Sequence, residues 1–240
     1  TIAAGIAAAV ALGPGTEVLV APGTYRESFQ INEGARGNAN GYYALRAYPN
    51  EPRPVISAGP AYDYIKILGA YWLIEGIEFN GTKVGFNMEN GQFIATQGDY
   101  DTYANNTNNV VKGSTSNTAI TIDGRQGQNG YLNTPPNHII IRDCVISDFA
   151  QGGVAIIASD YILCEDNLVY NCGRWSRWGA SGITNIYDRP LNDGQSNIFH
   201  RIIYRRNVIT DILQLVNSTF INQNSITDGN CMQFDENGNL

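Results

Sequence analysis

Two patterns of apolar and polar positions alternate along this chain. The first is short, with apolar residues bracketed by small polar ones, and recurs at residues 63–67, 117–122, 153–157, 181–186 and 230–234. The second is longer and richer in aliphatics, at residues 72–79, 138–146, 161–169 and 200–209. These stretches have strand length and no helical period. Two strand types repeated in fixed order predict a solenoid, in which each coil buries its apolar side by stacking on its neighbours. The spacing agrees: Cys144 to Asn167 is 23 residues, one coil, and Asn167 to Asn207 is 40, a coil of similar size plus a loop.

Aligning the second pattern on these positions puts Ile140, Leu163 and Ile203 in one column and Val145, Leu168 and Val208 in another, both expected to point into the core. The same alignment puts Glu75, Arg142, Glu165 and Arg205 in a column expected on the outer wall, with opposite charges alternating at the spacing of parallel strands, about 4.8 Å. Asn167 and Asn207 share a column where the chain must bend, which predicts a structural asparagine ladder.

A helical period appears only at the start, where Ile2, Ile6 and Val10 recur on an alanine-rich background before Gly13-Pro14-Gly15. That helix is expected to cover the open end of the first coil. The chain reads as a single solenoid domain over 1–240, interrupted by a long loop at 80–116 that is rich in Asn, Gly, Thr and Tyr. Its last residues, 235–240, follow a strand directly with no capping element, so further coils are expected beyond them.

Charge narrows the function classes. A net charge of −7, with no run of basic residues, argues against nucleic acid and anionic membranes as partners. No stretch approaches the ~20 apolar residues of a membrane span. The four cysteines, at 144, 164, 172 and 231, lack metal-ligand spacing, and Cys164 is expected to be a buried thiol.

Residues 6–27, with a helix, a Pro-Gly turn, a strand and the turn Gly23-Thr24-Tyr25-Arg26-Glu27, resemble the opening of the pectate-lyase-like, right-handed parallel β-helix superfamily. The segments Asn167-Leu-Val-Tyr-Asn171, Ser181-Gly-Ile183 and Ile226-Thr-Asp-Gly-Asn230 resemble secreted bacterial members of it. The resemblance implies an all-β fold, an extracellular or cell-surface location, and a substrate groove floored by the first strand type. The superfamily includes polysaccharide lyases and glycoside hydrolases alongside adhesins and tailspikes, so the fold does not choose a reaction.

Beside that expected floor lie the candidate site residues. Arg174, Trp175, Arg177 and Trp178 form a loop able to stack on sugar rings and pair with their carboxylates. Asp188, Asp193 and Asp235 are candidate catalytic carboxylates, and with Asp228 they are candidate Ca²⁺ ligands, although Asp228-Gly229 is equally a turn pair. Elimination on a uronic acid polymer needs its C6 carboxylate neutralised, by calcium or Arg, and a base such as Lys, Arg, His or Tyr. Lys66, Lys83 and Lys112 all lie in the N-terminal half, out of reach of the coil carrying Asp228 and Asp235; His138 and His200 occupy equivalent positions and read as surface residues. The expected function is a secreted polysaccharide lyase, or a related glycoside-cleaving enzyme, acting on an acidic polysaccharide. The competing class is a non-catalytic glycan-binding protein, adhesin or surface fibre.

Overall fold

The computed structural model describes residues 1–57, 61–81, 117–127, 130–173, 181–191, 201–213 and 229–235, together with the backbone of 85–86 and 93–94. Three six-stranded parallel sheets run the length of the molecule. The first contains Glu17–Val20, Tyr43–Ala47, Ala70–Glu75, Asn137–Arg142, Asp160–Glu165 and Ile202–Arg205. The second contains Thr24–Tyr25, Val55–Ile56, Glu78–Asn80, Val145–Ser147, Leu168–Tyr170 and Val208–Thr210. The third contains Phe29–Ile31, Asp63–Ile67, Thr118–Asp123, Gly152–Ile157, Ser181–Ile186 and Asn230–Asp235. The chain visits first, second and third sheet in turn, once per coil. This is the right-handed parallel β-helix that the resemblance implies.

The Ile2–Leu12 helix closes one end, burying Ile2, Ile6 and Ala9 against the first coil. Thr1 caps it, its Oγ1 accepting from the Ala4 N–H at 3.2 Å, and Glu27 accepts from the Ile2 and Ala3 N–H groups at 2.8 and 3.2 Å. A carboxylate at a helix N-terminus satisfies donors that have no partner within the helix and complements its dipole.

The column registers are those expected, but two of them face the other way. Ile140 pairs with Leu163, and Leu163 with Ile203, yet these side chains lie on the outside, Ile203 being 36% exposed. The core column of the first sheet is one residue on, through Leu45, Ile74, Ile141 and Cys164, each 0% exposed. The second sheet repeats the correction: Val208 is 59% exposed, and the buried column is Phe79, Ile146 and Val169. Strand side chains alternate, so a residue two positions from an outward charge must also point outward. Ile140 is two residues from Arg142, and Leu163 two from Glu165.

The charge column is where it was expected. Arg46 reaches Glu17 at 3.1 Å and Glu75 at 3.0 Å, Arg142 reaches Glu75 at 2.6 Å, and Arg205 reaches Glu165 at 2.6 Å. The asparagine ladder is also present. Asn167 Oδ1 accepts from the buried Cys144 N–H at 3.0 Å, Asn167 Nδ2 donates to Asn207 Oδ1 at 3.0 Å, and Asn207 Nδ2 donates to the Cys164 carbonyl at 2.9 Å.

The corners repeat as strictly as the strands. From the third coil onward, two residues join the first sheet to the second, and the leading one has positive φ: Gly76, Asp143, Asp166 and Arg206, at 72°, 51°, 55° and 54°. A matching column enters the first sheet at Tyr71, His138 and Tyr161, with φ of 58°, 52° and 50°. His138 lies between the two tyrosines at ring distances of 4.3 and 4.5 Å, which gives it the structural place its sequence position suggested. All four cysteines are free thiols, and burial pushes Cys144 and Cys172 up to about 12 and Cys164 higher still.

Candidate active site on the third sheet

The outer face of the third sheet carries a polar cluster on its second and third coils. In Asp63–Ile67 the residues Ile65 and Ile67 are core, so Lys66 points outward. Lys66 stands in register with Thr121, the outward residue between Ile120 and Ile122. Asp123 ends the third-coil strand and accepts an ion pair from Lys66 Nζ at 3.1 Å. From the other side Arg125 engages it bidentately, Nε on Oδ1 at 2.9 Å and Nη2 on Oδ2 at 3.1 Å. Asp63 closes the group, its Oδ1 accepting from the Thr121 hydroxyl at 2.5 Å.

Local sequence explains why these groups meet. Gly124 lets the chain pass so close to the fourth coil that a Cβ there would overlap the Ala158 carbonyl oxygen. Just beyond it the chain rises into a two-stranded antiparallel ladder, Arg125–Gln126 with Gly130–Tyr131. The return segment is pinned by Arg36, which donates to the Thr134 and Pro135 carbonyls at 2.7 and 3.3 Å, and by Arg189, which donates to the Leu132 carbonyl. One edge of the third sheet thereby gains a wall, so the carboxylate of Asp123 is covered although it stands on the outer face: the residue is only 4% exposed.

The two carboxylates sit in different environments. Burial pushes Asp63 above the ordinary aspartate value, only partly offset by the Thr121 hydrogen bond and the Lys66 charge. Burial acts upward on Asp123 too, but the hydrogen bonds and charge of Arg125, with Lys66, outweigh it and hold this carboxyl below the ordinary value. Arg125 is raised in return, chiefly by its hydrogen bond to Asp123. Neighbouring carboxyls driven in opposite directions are a common signature of acid–base sites. Tyr62 and Tyr187 lie within electrostatic reach of Arg125 and are 42% and 36% exposed.

Of the residues singled out from sequence, Arg174, Trp175, Arg177, Trp178, Asp193 and Asp228 lie outside the described residues. Asp188 is half-buried and hydrogen-bonds Asn185, a buried residue in register with the core residue Ile156. Burial raises its carboxyl, and the charge of Asp160 adds to the effect. Asp160 is itself held by Arg201 Nε at 2.8 Å. The backbone of Asp235 is in register with Ile186. Among the described residues no three or more His, Cys, Asp or Glu side chains are grouped closely enough to hold a metal ion. Lys66, Asp63, Asp123 and Arg125 were not singled out by sequence. The signal was there in part, since Lys66 falls in the first floor strand, but its register with Thr121 spans the long 80–116 insertion.

A separate cavity of about 300 Å³ lies where the first sheet turns into the second, lined by residues that include Arg46, Arg53, Glu75 and Asp143. Its arginines are committed to its carboxylates, Arg46 to Glu75 at 3.0 Å and Arg53 to Asp143 at 2.6 Å, which gives it the character of a structural corner.

No protein-family model matches the sequence, and no curated protein matches it either. Solved structures similar to this chain include an alginate lyase from Paenibacillus sp. str. FPU-7, with TM-score 0.48 and 17% identity over 96% of this chain and 61% of that one. The family 6 alginate lyase AlyGC gives TM-score 0.44 and 14% identity over 95% of this chain and 24% of its own. A GH136 lacto-N-biosidase from Eubacterium ramulus gives TM-score 0.48 and 12% identity over 93% and 50%. The chain thus spans 61%, 24% and 50% of the lengths of these structures, and at such identities the likeness is one of fold alone.

Proposed function

We propose that this chain belongs to a secreted enzyme that cleaves an acidic polysaccharide on the outer face of the third sheet. The observation that carries the reading is the covered cluster in which Asp123 holds Lys66 and Arg125 together, beside the raised carboxyl of Asp63. Arg125 has five N–H donors and spends two on Asp123, leaving its outer edge for the carboxylate of a uronic sugar. Neutralising that carboxylate acidifies the adjacent C5–H, the requirement of β-elimination. Asp63, more readily protonated than an ordinary aspartate, supplies a proton to the glycosidic oxygen as the C4–O bond breaks and C4=C5 forms. Lys66 is engaged by Asp123, so the group that takes the C5 proton is sought at Tyr62 and Tyr187, which lie within electrostatic reach of Arg125.

The test is incubation with alginate, pectate and neutral glycans, reading new reducing ends together with the ultraviolet absorbance of an unsaturated product. Both signals on a uronate polymer, with an Asp63→Asn loss of about 100-fold or more in kcat, are the expected result. Reducing ends without absorbance would mean hydrolysis instead. Binding without either signal would make the protein a glycan binder and reject the enzyme reading. A parallel assay in chelator examines the calcium expectation at Asp188, Asp193, Asp228 and Asp235; activity unchanged by chelation would remove it.

A further inference from the structure

Arg125 has a cross-strand neighbour that the proposed chemistry does not use. In the ladder at the groove edge Tyr131 is its direct partner. Residues directly opposite in an antiparallel pair project their side chains from the same face at about 5 Å. Tyr131 is 48% exposed on a ladder strand whose return segment is anchored. Arg189 anchors it twice: its guanidinium lies over the ring at 5.1 Å, and it donates to the carbonyl of Leu132, the next residue. The Arg189 backbone N–H is in turn fixed to the Ser159 carbonyl at 3.3 Å. Arg189 thus fixes the place of the ring on the wall of the covered cluster, with the Arg125 guanidinium on the facing strand.

We infer that Tyr131 is the sugar platform of the site, stacking on the ring of the residue whose carboxylate Arg125 receives, and that Arg189 is its positioning residue. An aromatic face presents area at little entropic cost and takes the apolar C–H face of a pyranose, whereas the guanidinium reads its charge. The two neighbours thus divide recognition: Tyr131 binds sugar of either charge, and Arg125 supplies the preference for uronate. The inference rests on the proposed acidic-glycan reading for its ligand but makes a separable claim about which residue stacks.

The experiment measures binding of oligogalacturonate, oligomannuronate and neutral oligogalactose to wild type, Tyr131→Ala, Tyr131→Phe, Arg189→Gln and Arg125→Met, each checked for an unchanged melting temperature. Tyr131→Ala should weaken charged and neutral sugars alike by about tenfold, and Tyr131→Phe should restore wild-type affinity. Arg125→Met should weaken only the uronates, and Arg189→Gln should give part of the Tyr131→Ala loss for both. Wild-type affinity in Tyr131→Ala overturns the platform while leaving the cleavage reading intact. Loss confined to uronates in Tyr131→Ala overturns the stacking role. A wild type that binds neutral sugar through Tyr131 with no uronate preference keeps the platform and rejects the acidic substrate, and a wild type that binds none of the three rejects both.

Discussion

Replacing Asn167 by alanine tests what holds one coil to the next. Asn167 is 2% exposed and occupies the corner between the first and second sheets. Its Oδ1 is the acceptor for the Cys144 N–H of the coil before, and its Nδ2 donates both to the Ile141 carbonyl at 3.0 Å and to Asn207 Oδ1 in the coil after. Removing the side chain orphans a buried N–H, at a cost of ~1–3 kcal/mol, and deletes the inter-asparagine bond, worth about 1 kcal/mol more. The expected loss is about 2–4 kcal/mol in urea unfolding followed by far-ultraviolet circular dichroism. Asn207→Ala should cost about half as much, because Asn207 is only half-buried and water can reach the groups it leaves. The urea dependence of the two variants must match wild type before stabilities are compared, since stacked coils can unfold in parts. A loss below about 0.5 kcal/mol for Asn167→Ala would refute the claim that this ladder satisfies buried backbone groups.

Core and wall should separate cleanly in the first sheet. Ile141→Ala should cost ~2–5 kcal/mol by opening a cavity at a fully buried position, and Leu163→Ala about 1 kcal/mol or less, with the reverse order rejecting the facing assigned to that sheet. Asp123 links stability to pH: its depressed carboxyl stabilises the fold above the ordinary aspartate value and loses that contribution as pH falls through its lower folded value. Asp63 runs in the opposite sense, its raised carboxyl favouring the fold in acid and costing stability as pH rises toward the folded value. The melting-temperature gap between wild type and Asp123→Asn should therefore narrow as pH falls below the ordinary aspartate value of about 4, and a gap independent of pH would count against the ion-pair account.

The registers were legible in the sequence because a coil has nearly constant length outside its loops. Glu75, Arg142, Glu165 and Arg205 announce their column by alternating sign, and Asn167 and Asn207 by identity. Facing was harder to read, because aliphatics serve both sides of these strands: Ile140 and Ile141 are the same residue, yet Ile141 is fully buried and Ile140 only partly. The neighbouring charge held the missing information, since Arg142 fixes the side of Ile140. The site was legible only as a place, the outer face beside the first strand type. Its residues were not, because proximity of Lys66 to Asp123 and Arg125 comes from register across the long insertion and from the close pass at Gly124. Both are properties of stacking that linear spacing hides.

The corner between the first and second sheets keeps two residues from the third coil onward, whereas the passages into and out of the third sheet range from the two residues between Ile67 and Ala70 to the long stretch between Asn80 and Thr118. The molecule is in this sense a shaft with a single editable side. Whole coils, at about 4.8 Å each, are the increments by which such a shaft lengthens, and from the third coil onward inserted chain accumulates at the margins of one face in three. Two β-helices of this type could therefore share shaft and corners almost residue for residue and still act on unrelated polymers, differing only in what borders the third sheet.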